Sequence, residues 1–246
     1  MNIHILTLFP EMLEQIFSHS ILKRACDQEL LQVICHQIRD YADNRHKSVD
    51  DYPYGGGCGM VMTPQPIFNV HEAVTEQLHT DAPVRTIYCT PKGRLFTQQM
   101  AEELAQEKSL IILCGHYEGV DQRVIDELVT DEISIGDYVL TGGELPAAVM
   151  VDAIARMIPG VLKEDLSYQE ESLYGGLLEY PHYTRPPVFR NLQVPEVLLS
   201  GHHEKIRQWR QYQAIRETWL KRPDLIDESL LTKEELEWLH TLQQER

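Results

Sequence analysis

Three short runs of apolar residues punctuate the first half of the chain, at 3–9, 84–89 and 109–114, each rich in Ile, Leu, Val or Tyr and bounded by Pro, Gly or Thr. Such runs predict buried strands. Elsewhere the spacing is helical, over 66–78, 97–107 and 144–157. On the last of these, Leu145, Ala148, Val149, Asp152, Ala153 and Arg156 mark how the apolar and polar faces divide. Strands alternating with helices predict an α/β fold, a mostly parallel sheet flanked by helices, with ligands beyond the carboxyl ends of the strands.

The pattern breaks after Pro159-Gly160. Residues 162–172 are polar, acidic and without periodic apolar positions, which predicts a flexible linker. Beyond it, Ile206, Trp209, Tyr212 and Trp219 recur at near-helical spacing until Pro223, and Thr232-Lys-Glu-Glu235 is a capping box for a last helix. The expected organisation is a main domain over 1–160, a linker over 161–175 and a small all-helical domain over 176–246.

A chain of 246 residues can bury a core without disulfides or metals. Its five cysteines, Cys26, Cys35, Cys58, Cys89 and Cys114, are scattered with no C-x-x-C pair, so they read as free thiols in a reducing compartment rather than as metal ligands. The opening residues have no basic leader and are interrupted by His4 and Pro10, unlike a signal peptide, and no segment is apolar enough to span a membrane. A cytoplasmic protein without a membrane partner is expected. The net charge of −16 argues against a broad surface that coats nucleic acid. Locally the balance reverses: within 201–222, Lys205, Arg207, Arg210, Arg216, Lys221 and Arg222 face only Glu204 and Glu217, which suits a confined RNA contact.

Two common nucleotide sites are absent. The first strand runs into Phe9-Pro-Glu-Met12 where a dinucleotide fold would carry G-x-G-x-x-G, and the glycines of Tyr54-Gly-Gly-Gly-Cys-Gly-Met60 are followed by no Lys-Ser/Thr. Three later loops, Thr90-Pro-Lys-Gly93, Gly115-His-Tyr-Glu-Gly-Val-Asp121 and Ser134-Ile-Gly-Asp-Tyr-Val-Leu-Thr-Gly-Gly-Glu-Leu-Pro146, each follow a strand-like run. Their glycines let backbone approach a flat heterocycle and their Tyr and Leu supply apolar walls, a pocket suited to adenosine. Taken singly, each is equally an ordinary turn, with Thr141-Gly-Gly-Glu144 simply starting a helix.

Together these motifs resemble the bacterial tRNA (guanine-N1) methyltransferases of the TrmD type, in the SPOUT superfamily. The likeness includes Asp50-Asp-Tyr-Pro-Tyr-Gly-Gly-Gly-Cys-Gly-Met-Val-Met62 upstream, with Pro181-His-Tyr-Thr-Arg-Pro186 and Gly201-His-His-x-x-Ile206-x-x-Trp209-Arg210 downstream. The resemblance implies a C-terminal trefoil knot in the sheet domain, a homodimer with its active site between subunits, and S-adenosylmethionine as cofactor. It implies transfer of methyl to N1 of the guanosine 3′ of the anticodon (position 37), in tRNAs where another guanosine precedes it. By position, the cofactor residues are Tyr88, Cys89, Thr90 and Pro91; Gly115, Tyr117, Glu118 and Gly119; and Ile135, Gly136, Asp137, Tyr138, Val139 and Leu140 with Gly142 and Gly143.

Methylating N1 requires a base for the N1–H and a donor for charge developing at O6. Arg156 occupies the family's arginine position and supplies the donor. The base position departs from the family: relatives carry aspartate in Asp-Ser-Phe, whereas Glu170-Glu171-Ser172-Leu173 stands here. Counting from Pro159-Gly160 puts Glu171 on that aspartate, with Asp165 and Glu170 as rivals, and Ser167 on an accompanying serine. A glutamate can take the proton, but one extra methylene changes its reach by about a bond length. Asp50, Ser167, His182, Tyr183, Arg185, His202 and Arg210 are the expected substrate contacts, the ring and cationic groups being of the kind that stack on and neutralise single-stranded RNA. No metal-ligand set is evident, although Mg²⁺ as an auxiliary at O6 or against acidic repulsion stays open. The competing hypotheses are an RNA-binding module without cofactor and a methyltransferase of the same fold acting on another RNA.

Overall fold

The computed structural model describes residues 1–78, 84–162, 172–173 and 176–244. The chain divides into two compact units, Met1–Lys163 and Glu164–Arg246.

The first unit begins with β1 (Asn2–Thr7), α1 (Pro10–Phe17), α2 (Ser20–Asp27) and β2 (Gln32–Gln37). A two-stranded hairpin of β3 (Asp50–Asp51) and β4 (Val61–Met62) precedes α3 (Pro64–Gln77). Then come β5 (Arg85–Leu95), α4 (Gln98–Leu104), β6 (Ser109–Cys114), α5 (Gln122–Leu128), β7 (Asp131–Ser134) and α6 (Glu144–Arg156). Five strands form one parallel sheet in the order β2-β1-β6-β5-β7. Both faces are covered, which explains why its central strands read as unbroken apolar runs. Ile3, Ile5, Leu110 and Ile112 share one core with Leu13, Leu22, Leu104 and Ile154 of the helices, while Leu6, Ile111 and Leu113 share the other with Ile67, Val70 and Val124.

β1 ends earlier than the apolar run because Thr7 Oγ1 takes the Phe9 amide at 2.9 Å and Pro10 starts α1. β5 runs further than expected. Within it, residues 90–93 have no partner on β7 and bulge out as a loop, after which Arg94 and Leu95 return to pair with Ile133 and Ser134, so Ile133 is partnered by both Cys89 and Arg94. A Cβ on Gly93 would stand 2.3 Å from the Glu132 carbonyl carbon and the Ile133 nitrogen. Only glycine permits this approach of two backbones.

Among the described residues no helix is long and apolar enough to cross a membrane. All five cysteines are free thiols.

His4 is buried in the sheet and stacks on His36, with Nδ1 and Nε2 2.9 Å apart. Burial, and then the neighbouring His36, lower its pKa to about 4. The folded chain thus declines a proton that the unfolded chain takes below about pH 6.5, so stability falls as pH drops from there towards 4. The expected loss from this group at pH 5 is about 2 kcal/mol. Thermal unfolding of His4→Leu should show a shallower dependence on pH between 7 and 5 than the parent. Parallel slopes would remove His4 from the account.

The second unit contains β8 (Val188–Phe189) and β9 (Leu192–Gln193) as a hairpin, then α7 (Glu196–Leu199), α8 (His203–Lys221) and α9 (Lys233–Gln244). Ile215, Leu239 and Leu242 form its core, with Tyr212, Trp219 and Trp238 packed against them. The capping box is formed: Glu235 Oε2 accepts from the Thr232 amide at 2.8 Å, and the Glu235 amide donates back to Thr232 Oγ1 at 3.3 Å. The small hairpin is an addition to the expected helices. Most of the expected linker, 163–171 and 174–175, lies outside the described residues.

Candidate active site

Parallel strands deliver their following loops to one edge, and here three such loops line a single open pocket of about 600 Å³. Tyr88, Cys89, Thr90 and Pro91 come from β5 and its loop; Gly115, Tyr117, Glu118 and Gly119 follow β6. Ile135, Gly136, Tyr138, Val139, Leu140, Gly142 and Gly143 follow β7. Of the expected cofactor residues only Asp137 is absent from this lining, and it is exposed.

The walls explain their own sequence. Gly143 donates its amide to the Gly115 carbonyl at 3.0 Å, joining two of the loops, and a Cβ there would lie 2.6 Å from Cys114 Cα. Tyr88 is buried with its ring against Gly115. Burial pushes its hydroxyl pKa up, so it stays a neutral donor.

Several residues at the pocket had no part in the expected site, His116 and its partner Glu144 first among them. Glu144, 2% exposed at the first turn of α6, accepts from Thr7 Oγ1 at 2.6 Å and meets His116 Nε2 at 2.7 Å. This contact fixes the His116 ring at the pocket wall. The Glu144 carboxylate also suits the helix N-terminus on which it sits. Gly142-Gly143 before a Glu signalled a helix start, but contacts with residues 7 and 116 leave no mark in local sequence. Lys92, Gln122, Glu132 and Thr141 complete the polar lining.

The glycine-rich hairpin is hydrogen-bonded to the loop that follows β6. Met62 donates its amide to Gly119 O at 2.9 Å and accepts from the Asp121 amide at 3.0 Å, while the Glu118 amide donates to Met60 O at 3.0 Å. Asp50 pairs with Met62 in the hairpin, and the Tyr54 side chain at its tip is fully exposed. At the rim, the hydrogen bond from Arg123 holds the Asp121 carboxyl below its ordinary range.

Of the expected catalytic pair, only Arg156 falls among the described residues. Arg156 is the last residue of α6, ten positions beyond Pro146, the farthest pocket residue on that helix. At about 1.5 Å per residue this is roughly 15 Å, more than an arginine spans. Glu171, its rivals Asp165 and Glu170, and Ser167 lie outside the described residues. Among the described residues no group of three or more His, Cys, Asp or Glu side chains is arranged to hold a metal ion.

The remaining expected substrate residues belong to the second unit. The Arg210 guanidinium lies 4.7 Å from the centroid of the Tyr180 ring, and its buried Nε meets no hydrogen-bond partner among the described residues. His182 is exposed, lies tilted against the Tyr180 ring with centroids 4.9 Å apart and approaches Glu179 at 3.3 Å. Tyr183, half exposed, neighbours Trp209 at 6.4 Å between centroids. Arg185 and His202 are exposed. The helical aromatics therefore divide: Tyr212 and Trp219 serve the core, while Trp209 pairs with the surface ring of Tyr183.

The model of the family tRNA (Guanine-1)-methyltransferase TrmD matches residues 1–228. The chain is 60% identical over 246 residues to a tRNA (guanine-N(1)-)-methyltransferase of Alkaliphilus metalliredigens, covering 100% of both chains. It is 54% identical over 229 residues to that of Clostridioides difficile, covering 93% of this chain and 99% of the relative. To one from Bacillus cereus it is 52% identical, again over 100% of both.

Proposed function

This chain belongs to the tRNA (guanine-1)-methyltransferase family, and from that premise we propose that it binds S-adenosylmethionine in the three-loop pocket and methylates N1 of the guanosine 3′ of the anticodon, where a guanosine precedes it. It is a tRNA (guanine-N1) methyltransferase. The observation that carries the cofactor assignment is the convergence of three loops, distant in sequence, on one pocket of about 600 Å³. That size suits a nucleoside-sized ligand. Ile133, Ile135, Leu140 and Pro146 offer apolar surface, and glycines at 115, 142 and 143 leave room for backbone to meet a flat base.

The bound sulfonium supplies an electrophilic methyl group. The chain's own residues handle the proton and the charge. Glu171 takes the N1 proton, with Asp165 and Glu170 as its rivals, and Arg156 donates to O6 as negative charge develops there. Because Arg156 stands roughly 15 Å along α6 from the pocket, its participation requires a second copy. A homodimer meets that need. It is supported by the exposed apolar side chains Phe9, Met12 and Ile16 at α1 and Leu145 and Val149 on α6. The trefoil knot of the SPOUT class is proposed from membership of the family. His182, Tyr183, Arg185, His202 and Arg210, with Asp50 and Ser167, are assigned to the tRNA.

Sedimentation in saturating S-adenosylmethionine tests the cofactor and the assembly together. The expected species is a dimer carrying nucleoside absorbance. A stable, active monomer, or a boundary without bound nucleoside, would contradict the reading.

A further inference from the structure

Two arms of β5 converge on one carboxylate at the root of the pocket. Asp131, the first residue of β7, is buried. It accepts from Arg85 Nε at 2.8 Å and Arg85 Nη2 at 3.0 Å, from Arg94 Nη2 at 2.9 Å and from Thr130 Oγ1 at 2.8 Å. Arg85 opens β5, whereas Arg94 follows the loop 90–93 that lines the pocket through Thr90, Pro91 and Lys92. One carboxylate therefore ties the chain on both sides of that loop. Within the loop itself the only side-chain hydrogen bond among the described residues is a long one, from the Lys92 amide to Thr90 Oγ1 at 3.3 Å.

We propose that Arg94 is a positioning residue for the cofactor: its ion pair with Asp131 holds the 90–93 loop in the conformation that the nucleoside meets, so that cofactor affinity depends on it while the methyl-transfer step does not. The proposal rests on the pocket being the S-adenosylmethionine site. Ordering a loop before binding removes a cost that would otherwise fall on the association. The arrangement also isolates Arg94 from the stability of the fold. Its side chain is 65% exposed, so shortening it opens no cavity. Asp131 keeps both Arg85 contacts and Thr130 when Arg94 is gone, so no buried charge is stranded. Consistent with that, the Arg85 hydrogen bonds are the leading reason that the Asp131 carboxyl stays below its ordinary range.

The test uses the full chain as parent, Arg94→Gln and Arg94→Lys. Hydrogen exchange without ligand should quicken at the amides of Thr90, Lys92 and Gly93 in Arg94→Gln, with the unfolding midpoint little changed. Calorimetry should show its Kd for S-adenosylmethionine raised about three- to fivefold, the effect of an exposed pair. The single-turnover rate at saturating cofactor should match the parent, and Arg94→Lys should recover the parent's affinity. Equal Kd in parent and Arg94→Gln overturns the proposal alone, as does a loss that appears in the saturated rate instead of in Kd. Absence of binding by the parent overturns the pocket assignment, and the proposal with it.

Discussion

Gly143→Val is expected to bind S-adenosylmethionine far more weakly than the parent. Gly143 stands where the loop after β7 meets the loop after β6, joined by its 3.0 Å hydrogen bond to Gly115. Even a Cβ would lie 2.6 Å from Cys114 Cα and 3.0 Å from the Gly115 nitrogen. Those are backbone atoms, so no rotamer change relieves the contact. The loops must part, and both line the pocket. Overpacking of this kind costs about 1–3 kcal/mol, which taken from binding is roughly a 5- to 150-fold loss of affinity. Calorimetry on a variant whose thermal transition remains cooperative measures it. Unchanged affinity would place the cofactor elsewhere. If the valine variant does not fold, Gly143→Ala carries the same comparison with the smallest addition.

Glu171→Gln should slow single-turnover methyl transfer by roughly 10²–10⁴, the range for removing a general base. Glutamine keeps the shape and the hydrogen-bonding oxygen but accepts no proton, so cofactor affinity should stay at the parent value. Asp165→Asn and Glu170→Gln should cost little. Glu171→Asp should remain active, because it restores the acid that relatives of this type carry, although a backbone adjusted to the longer side chain would blunt any gain. A rate for Glu171→Gln within about threefold of the parent, well short of a general-base effect, would remove the assignment and turn attention to Asp165.

Much of the fold was legible because its central strands are buried on both faces. Residues 3–9, 84–89 and 109–114 announced β1, β5 and β6 by continuous apolar character, and Thr232 with Glu235 announced the last helix by a reciprocal cap. β2 and β7 gave no such signal. β2 is an edge strand in which Gln32 and the pair His36-Gln37 flank only three apolar residues, Val33, Ile34 and Cys35, and β7 is only four residues long. The pocket was legible as three glycine-bearing loops, since each obeys the local rule that a strand is followed by a turn. What could not be read were the side chains that hold those loops. Glu144 with Thr7 and His116, and Asp131 with Arg85 and Arg94, bring together residues as much as 137 positions apart. Pairing at that separation is set by the sheet order, which no local pattern encodes.

The central claim is that this pocket serves methyl transfer to one guanosine of tRNA. Transfer of labelled methyl from S-adenosylmethionine to two tRNA transcripts tests it directly, one with guanosine 3′ of the anticodon after another guanosine, the other differing only at that 3′ guanosine. The account predicts label in the first, recovered as N1-methylguanosine, and none above background in the second. Equal labelling of both, or label on an atom other than N1, would contradict it.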